Sequence, residues 1–337
     1  MDQYSHEVDV AVRAALGASL LCQQVQKDLT GELSFTKSDR SPVTVADYGA
    51  QAIICKLLKE SFPEDPIIAE EDSAELRKPD HSGILAQVTR YVRGRIPHAS
   101  PEDVCGWIGS SSSSLSDRSW ILDPIDGTAG FLRGEQYAIA LALVEKGRVT
   151  LGLLACPNLH LETGRPEGAK GSLFLAVTGR GACQMDMAGK NKQSLTTPEI
   201  GDISGVLYTE SVEADHCDHG FHRHIAHKLG ITRPPLRMDG QVKYGVVARG
   251  ESALYLRIPA PSEQGFKENI WDHAAGVLVA EEAGGRVTDA FGRPLDFSSG
   301  IKLEKNYGIV VTNGIPHDRV LDALGFQKGN AQKERLL

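Results

Sequence analysis

Basic residues are the minority here: 36 Lys and Arg stand against 44 Asp and Glu in 337 residues, a formal net charge of −8. Broad affinity for nucleic acid needs a basic face, so no nucleic-acid partner is expected. None of the six cysteines (Cys22, Cys55, Cys105, Cys156, Cys183, Cys217) forms a CxxC pair. Neither a zinc knuckle nor a disulfide framework is suggested, and reduced, buried thiols are the expectation. No apolar stretch reads as long enough to span a membrane. The N-terminal segment MDQYSHEVDVAVRAALGASLLCQQVQ sets Glu7, Asp9 and Arg13 among apolar residues at helical spacing. A signal peptide would instead follow a basic start with a continuous apolar run, so none is expected, nor is a membrane partner. The cytoplasm is the expected location, with the nucleus compatible. No repeat of solenoid period is present.

What is present is an ordinary apolar content on a chain long enough for one large or two medium domains. Apolar spacing predicts a helix to about Lys27 and another from about Ala46 to Glu60, where Ile53, Ile54, Leu57 and Leu58 share a face. Between them lies the polar loop KSDRSPVTVAD. A short strand, IIA, then ends in Glu70, Glu71 and Asp72. A helix is expected over about Ser82 to Arg93, and GSSSSSLSDRS reads as a mobile solvated loop. Beyond it the segments AIALALVEKG and RVTLGLLACP read as a hairpin. The second half alternates strand and helix signals: VLYTE, a His-rich helix from about His219 to Leu229, ALYLRIP, a helix from about His273 to Ala283, and GIVVT. Hairpins mixed with helices predict an α+β layered fold, because strands joined by tight turns are antiparallel. The Gly- and Pro-rich PNLHLETGRPEG suggests a boundary near residue 155. It would separate an N-terminal lobe (1–155) from a C-terminal lobe (156–337).

The strongest chemical signal is WILDPIDGTAGF. An apolar strand delivers Asp123 and Asp126 across a turn in which Pro124 fixes φ and Gly127 permits a tight bend. Such a turn can aim both carboxylates and the Ile125 carbonyl at one point, a hard-oxygen set suited to magnesium, manganese or calcium. A helix starting just after the turn would offer free amides to a phosphate group. Two further acids stand at element ends: Glu70 after IIA, and Asp272 in WDHAAG before a helix. Each alone has an ordinary explanation, Asp272 as a helix cap and Glu70 as one solvated acid among several. Several anions clustered without a cation would be strongly destabilising, so together they point to a metal. Glu71 follows Glu70 on extended chain and points to the opposite face, which leaves Glu70 as the direct ligand.

AEEDS, WILDPIDGT and WDHAAG, in that order and preceded by SPVTVAD, resemble the inositol monophosphatase superfamily of lithium-sensitive, magnesium-dependent phosphatases. The resemblance covers nearly the whole chain and implies an αβαβα sandwich of the inositol monophosphatase/fructose bisphosphatase type. It implies that Glu70, Asp123, the Ile125 carbonyl, Asp126 and Asp272 hold two or three Mg2+ ions. By the same resemblance Asp47, paired with Thr128, activates a water for in-line attack on phosphorus. The N-terminal lobe would then carry most metal ligands, and the C-terminal lobe the last ligand and the substrate contacts.

Within the superfamily, MDGQVKYGVVARGESALYLRIP is similar to the 3'(2'),5'-bisphosphate nucleotidases of sulfate assimilation. That family removes the 3'-phosphate of adenosine 3',5'-bisphosphate (PAP) to give AMP, and often acts on 3'-phosphoadenosine 5'-phosphosulfate (PAPS). The likeness implies substrate contacts at Thr128, His219, Gly240, Lys243, Arg257 and Asp272. Two departures stand out: Gly240 replaces the usual Ser after Asp239, and HCDHG replaces the usual HSSHD. A lost hydroxyl removes a hydrogen bond of about 1 kcal/mol. Without the likeness, Lys243 and Arg257 read as surface charges on a helix and an edge strand. His216, His219, His222, His224 and His227 read as a solvated helix face rather than a zinc site. The alternatives are an inositol polyphosphate 1-phosphatase or inositol monophosphatase, and a non-catalytic nucleotide- or metal-binding sensor. Intact Asp47, Glu70, Asp123, Asp126, Thr128 and Asp272 weigh against the sensor. The expected partner is a small bisphosphate nucleotide, and the expected state a monomer.

Overall fold

The computed structural model describes residues 3–28, 34–36, 42–162, 164, 167–198, 200–213, 218–259 and 265–326. The chain opens with α1 (Ser5–Lys27), the short pair β1 (Ser34–Thr36) and β2 (Pro42–Thr44), and α2 (Val45–Ser61). After β3 (Ile67–Ala69) come α3 (Ser73–Leu76), α4 (Ser82–Arg93) and α5 (Pro101–Ile108). Next are β4 (Arg118–Asp126), α6 (Thr128–Leu132) and a meander of β5 (Ala138–Glu145), β6 (Arg148–His160), β7 (Lys170–Val177), β8 (Ala182–Asp186) and β9 (Gln193–Leu195). The rest comprises β10 (Tyr208–Glu210), α7 (His219–Leu229), β11 (Leu236–Arg237), α8 (Val242–Ala248), β12 (Leu254–Arg257), α9 (Ala274–Glu282), β13 (Arg286–Thr288), β14 (Ile309–Thr312) and α10 (His317–Leu324).

Local chemistry accounts for the boundaries that matter. Thr44 and Asp47 form a capping box that starts α2, and Ser100 with Asp103 does the same for α5, where Pro101 takes the first helical position. Lys146 and Gly147 both have positive φ, 50° and 75°, between the paired Glu145 and Arg148. That is the two-residue turn whose twist suits a hairpin, and it fixes the first β5–β6 pairs, before the register shifts between Leu143 and Val144.

Strands β3 to β9 form one sheet in chain order, and a second sheet runs β11-β10-β12-β14-β13. Because side chains alternate along β4, Trp120 and Leu122 face the core shared with α1 and α2, while Ile121 faces the opposite core. Trp120 is fully buried, and truncating it to Ala would cost about 3–5 kcal/mol. A middle core joins the far face of the first sheet to α8, α9 and the Tyr255, Ile309 and Val311 face of the second. A third core packs Leu254, Leu256 and Val310 against α7 and α10. The layers are therefore helix, sheet, helix, sheet, helix, as the αβαβα expectation has it.

Several expectations are corrected. The suggested boundary at residue 155 falls inside β6, and the change of sheet comes after Leu195. Pro157 does not end the strand, because the β6–β7 register shifts between Cys156 and His160 and accommodates it. The serine-rich segment is solvated as expected at Ser113, Ser114 and Ser116, and it is also tied to its surroundings: Ser112 N donates to the Ile67 carbonyl at 2.7 Å, and Ser110, Ser111 and Ser116 hydroxyls bond nearby carbonyls. Helix α1 is long and apolar enough by composition to cross a membrane, where no stretch of that kind is expected from the sequence. Its apolar face, from Val10 to Val25, is buried in the first core. Cys22, Cys55, Cys105, Cys156 and Cys183 are free and buried; Cys217 and His216 lie outside the described residues.

Candidate active site

The pairing of β4 with β5 runs evenly from Arg118 to Asp123 and then slips, so that Asp126 meets Ala138. Pro124 sits in this bulge, where a missing amide costs nothing to the ladder. Ile125 N instead donates to Asp123 Oδ1 at 3.0 Å, which fixes the first carboxylate. Asp272 closes a short 3-10 turn before α9, and Asn269 Nδ2 donates to its Oδ2 at 3.2 Å. One oxygen from each of Asp123, Asp126 and Asp272 lies within 4.8 Å of the others. Glu70 follows β3, which lies parallel to β4 with Ala69 beside Leu122, and lines the same cleft as Asp126 and Asp272.

Packing these acids together carries an electrostatic cost. Burial, then the charges of Glu70, Asp126, Asp272 and Asp47, push the Asp123 carboxyl well above the usual range. Burial and then Asp272 push Asp126 up to about 7, against the pull of Lys243 and Arg257. Carboxylates so arranged favour protonation unless a cation joins them, and an all-oxygen set fits a hard divalent ion. The residues present therefore fit a metal of the magnesium class.

Asp47 is fully buried at the start of α2. Its Oδ2 accepts from Thr44 N at 2.7 Å and Thr44 Oγ1 at 2.6 Å, while Thr128 Oγ1 lies 3.1 Å from its Oδ1. Thr128 Oγ1 is also 3.2 Å from the Ile125 carbonyl. The pair inferred for water activation thus stands in contact at the metal turn, although its members come from different elements. The helix after the turn, α6, has only five residues, too few for the anion site at its N-terminus expected from the sequence.

Glu70, Asp126, Thr128 and Asp272 line a cleft of about 680 Å³ that also includes Gly240, Lys243 and Arg257, with Asp47 and Asp123 buried behind them. Neither cation is a surface charge. Lys243 is 2% exposed, its Nζ donating to the Met238 carbonyl at 3.1 Å, and Arg257 lies on β12, an interior strand between β10 and β14. Glu71 lines the cleft too, whereas an opposite face had been expected, because its backbone is bonded at both N and O to Gln51 just after the strand ends. His219 stands one layer back, with its Nε2 3.0 Å from the Ser211 carbonyl; Ser211 itself lines the cleft. His222 is fully buried, 3.3 Å from Glu210, so α7 is not a uniformly solvated histidine face.

Gly240 has φ +59°, and a Cβ there would stand 2.1 Å from the Asp126 carbonyl oxygen. The Asp239–Gly240 loop thus lies directly on the Asp123–Asp126 turn, at a distance only glycine permits. Gly240→Ser, which restores the residue usual in the resembling family, is expected to destabilise the chain by about 1–3 kcal/mol. A thermal melt checks this, and an unchanged midpoint would contradict the close approach.

The sequence matches the inositol monophosphatase family over residues 3–327. The chain belongs to that family. Among relatives of this family member, a 3'(2'),5'-bisphosphate nucleotidase of Oryza sativa is 44% identical over 328 residues, 92% of this chain and 91% of that protein. A 3'(2'),5'-bisphosphate nucleotidase of Schizosaccharomyces pombe is 40% identical over 339 residues, 95% of each chain. The solved structure of the Thermotoga maritima IMPase superposes with a TM-score of 0.65 at 21% identity, covering 95% of this chain and 97% of that one. That likeness shows the fold. Members of the family are metal-dependent phosphatases of small phosphorylated substrates, in agreement with the acid cluster.

Sequence reasoning missed several residues of this family member's cleft. Lys302 lines it, its Nζ 2.8 Å from Asn269 Oδ1, and Glu268 and His273 lie behind Arg257. Arg133 bridges Asp239 at 2.6 Å and Glu213 at 2.7 Å, joining the metal turn to the opposite wall. Only His273, inside WDHAAG, carried a local signal; the others read as single solvated charges.

Proposed function

We propose that this chain is a magnesium-dependent phosphatase that hydrolyses the 3'-phosphate of adenosine 3',5'-bisphosphate to AMP, and that of PAPS to adenosine 5'-phosphosulfate. One observation carries the reading: a single cleft joins a carboxylate cluster to two cations, the buried Lys243 and the half-buried Arg257. A substrate with one phosphoryl group to cleave and a second anion to recognise suits that division. Full-length relatives named 3'(2'),5'-bisphosphate nucleotidase support it over the inositol phosphate alternatives. The proposed setting is cytoplasmic sulfur assimilation, with the chain acting as a monomer.

Glu70, Asp123, Asp126, Asp272 and the Ile125 carbonyl would hold two or three Mg2+ ions, which when bound supply charge neutralisation and Lewis acidity at the phosphoryl group. Thr128 donates its hydroxyl hydrogen towards Asp47 Oδ1, which leaves its oxygen lone pairs to accept a hydrogen bond from a water. As that water attacks phosphorus in line, its proton passes to Thr128 while the Thr128 proton moves to Asp47. The phosphorus bond to the 3'-oxygen breaks as the new one forms, and the leaving oxygen takes a proton from a solvent water, whose hydroxide is neutralised as Asp47 returns its proton to solvent. Thr44 holds Asp47 Oδ2, so Oδ1 alone faces Thr128. Lys243, Arg257 and Gly240 receive the nucleotide's 5'-phosphate side, and His219 supports that wall through Ser211.

Charge-assisted contacts of this kind are worth about 1.5–3 kcal/mol each. Lys243→Ala and Arg257→Ala are therefore expected to lower kcat/KM for adenosine 3',5'-bisphosphate by about one to two decades, and for inositol 1,4-bisphosphate much less. Steady-state kinetics on both substrates tests this. Equal losses in folded protein would contradict a nucleotide pocket and favour the inositol phosphate reading.

A further inference from the structure

Behind Arg257 runs a chain of buried polar groups used by neither the acid cluster nor the Asp47–Thr128 pair. Arg257 Nε donates to Glu268 Oε1 at 2.7 Å. The other oxygen, Glu268 Oε2, lies 3.4 Å from His273 Nε2, and His273 Nδ1 lies 2.8 Å from the Tyr244 hydroxyl. Glu268, His273 and Tyr244 are 6%, 1% and 0% exposed, so solvent has little access to stand in for a lost partner. Tyr244 is fixed in turn, edge-on to Tyr255 with ring centroids 5.2 Å apart.

The Arg257 guanidinium stands against one Glu268 oxygen at 2.7 Å and His273 Nε2 lies 3.4 Å from the other, so the carboxylate is held in one direction between fixed groups. A guanidinium is planar, so fixing Nε fixes where the two Nη groups point. Among the described residues those Nη groups make no hydrogen bond, while the side chain lines the cleft. The competing anions are close, since Asp126 and Asp272 line the same cleft as Arg257. Without Glu268, Arg257 would turn towards these carboxylates.

Resting on the nucleotidase reading, we infer that Glu268, seated by His273 and Tyr244, is a positioning residue. It aims Arg257 at the substrate's second, unhydrolysed anionic group and keeps the guanidinium off the metal-holding carboxylates. Glu268 and His273 also lie within 4.8 Å of Asp272. The direct Arg257 contact already supplies Glu268 with a cation, so the three do not form a further metal site.

The test uses the full chain with saturating magnesium, comparing adenosine 3',5'-bisphosphate with adenosine 3'-monophosphate, which lacks the second anion. Glu268→Gln is expected to raise KM for the bisphosphate about tenfold while kcat changes less than about threefold, so the preference for the bisphosphate falls. Placed on Arg257→Ala, the same substitution adds no further loss, because its effect runs through the guanidinium. Equal losses on both substrates, an unmoved KM, or full additivity with Arg257→Ala overturns the inference. If a melting curve shows Glu268→Gln unfolded, Tyr244→Phe still has to lower the same preference, by about two- to threefold. An unchanged preference there also overturns it. Failure of the nucleotidase reading looks different: the wild-type chain itself would not distinguish the two substrates.

Discussion

Asp126→Asn and Asp272→Asn are each expected to bring phosphate release at millimolar magnesium close to background, in protein that stays folded. Each removes one anionic oxygen from a set whose members lie within 4.8 Å of one another, and an amide is a poor substitute as a ligand for a hard cation. Folding should not suffer, because the same change relieves repulsion among buried acids. The pH dependence of the metal-free chain follows from the same charges. Asp126 is raised to about 7 from an ordinary carboxylate value near 4. Between those values the folded chain keeps a proton that the unfolded chain has lost, so folding is favoured at the acid end and loses that advantage as pH rises towards about 7. In EDTA the wild-type chain is therefore expected to melt higher at about pH 5 than at about pH 7.5, and Asp126→Asn to flatten the slope. Calorimetry in EDTA and a phosphate assay in magnesium check the two halves. A variant with near wild-type turnover would remove that residue from the site.

Asp47→Asn and Thr128→Ala are expected to act on the rate rather than on binding, lowering kcat by about 10²–10⁴-fold with KM moving little. Asp47 Oδ2 already accepts two hydrogen bonds from Thr44, so the proton-accepting role falls to Oδ1, 3.1 Å from Thr128 Oγ1. The Thr128 substitution removes the relay oxygen and leaves Asp47 in place, while the Asp47 substitution removes the base. Single-turnover and steady-state kinetics separate chemistry from binding. Loss confined to KM would dismiss the pair as the route for the water's proton. Asp47→Asn also weakens the capping box of α2, at a cost of about 1 kcal/mol, so its melting point should fall where that of Thr128→Ala does not.

Sequence features made the metal turn readable because its devices are local. Pro124 between two aspartates after an apolar strand marks a break in the ladder, and Gly127, with φ +95°, marks the bend. The helix face of α2 and the β5–β6 hairpin were readable for the same reason, through side-chain period and a two-residue turn. The link from Asp126 to Asp272 was not local. It came from the resemblance of WDHAAG to a family motif, and no periodicity in the chain would have supplied it. Composition misled at PNLHLETGRPEG, where Pro157 looked like a strand end but sits at a register shift within β6. It showed the serines as solvated but not that Ser110 and Ser111 also bond nearby backbone carbonyls. Glu268, between Lys267 and Asn269, resembles any solvated charge, and its burial follows from packing against Arg257 and His273. In the sequence Gly240 stands out only as a missing hydroxyl. Its role as the point where two loops touch became visible only when the Asp126 carbonyl was placed beside it.

The most direct test of the account is phosphate release by the wild-type chain from adenosine 3',5'-bisphosphate, PAPS, inositol 1,4-bisphosphate and fructose 1,6-bisphosphate, each with magnesium and again with EDTA. The account predicts that the two 3'-phosphorylated nucleotides rank first by kcat/KM and that EDTA abolishes every activity. A higher rank for either non-nucleotide substrate, or phosphate release that persists in EDTA, would contradict it.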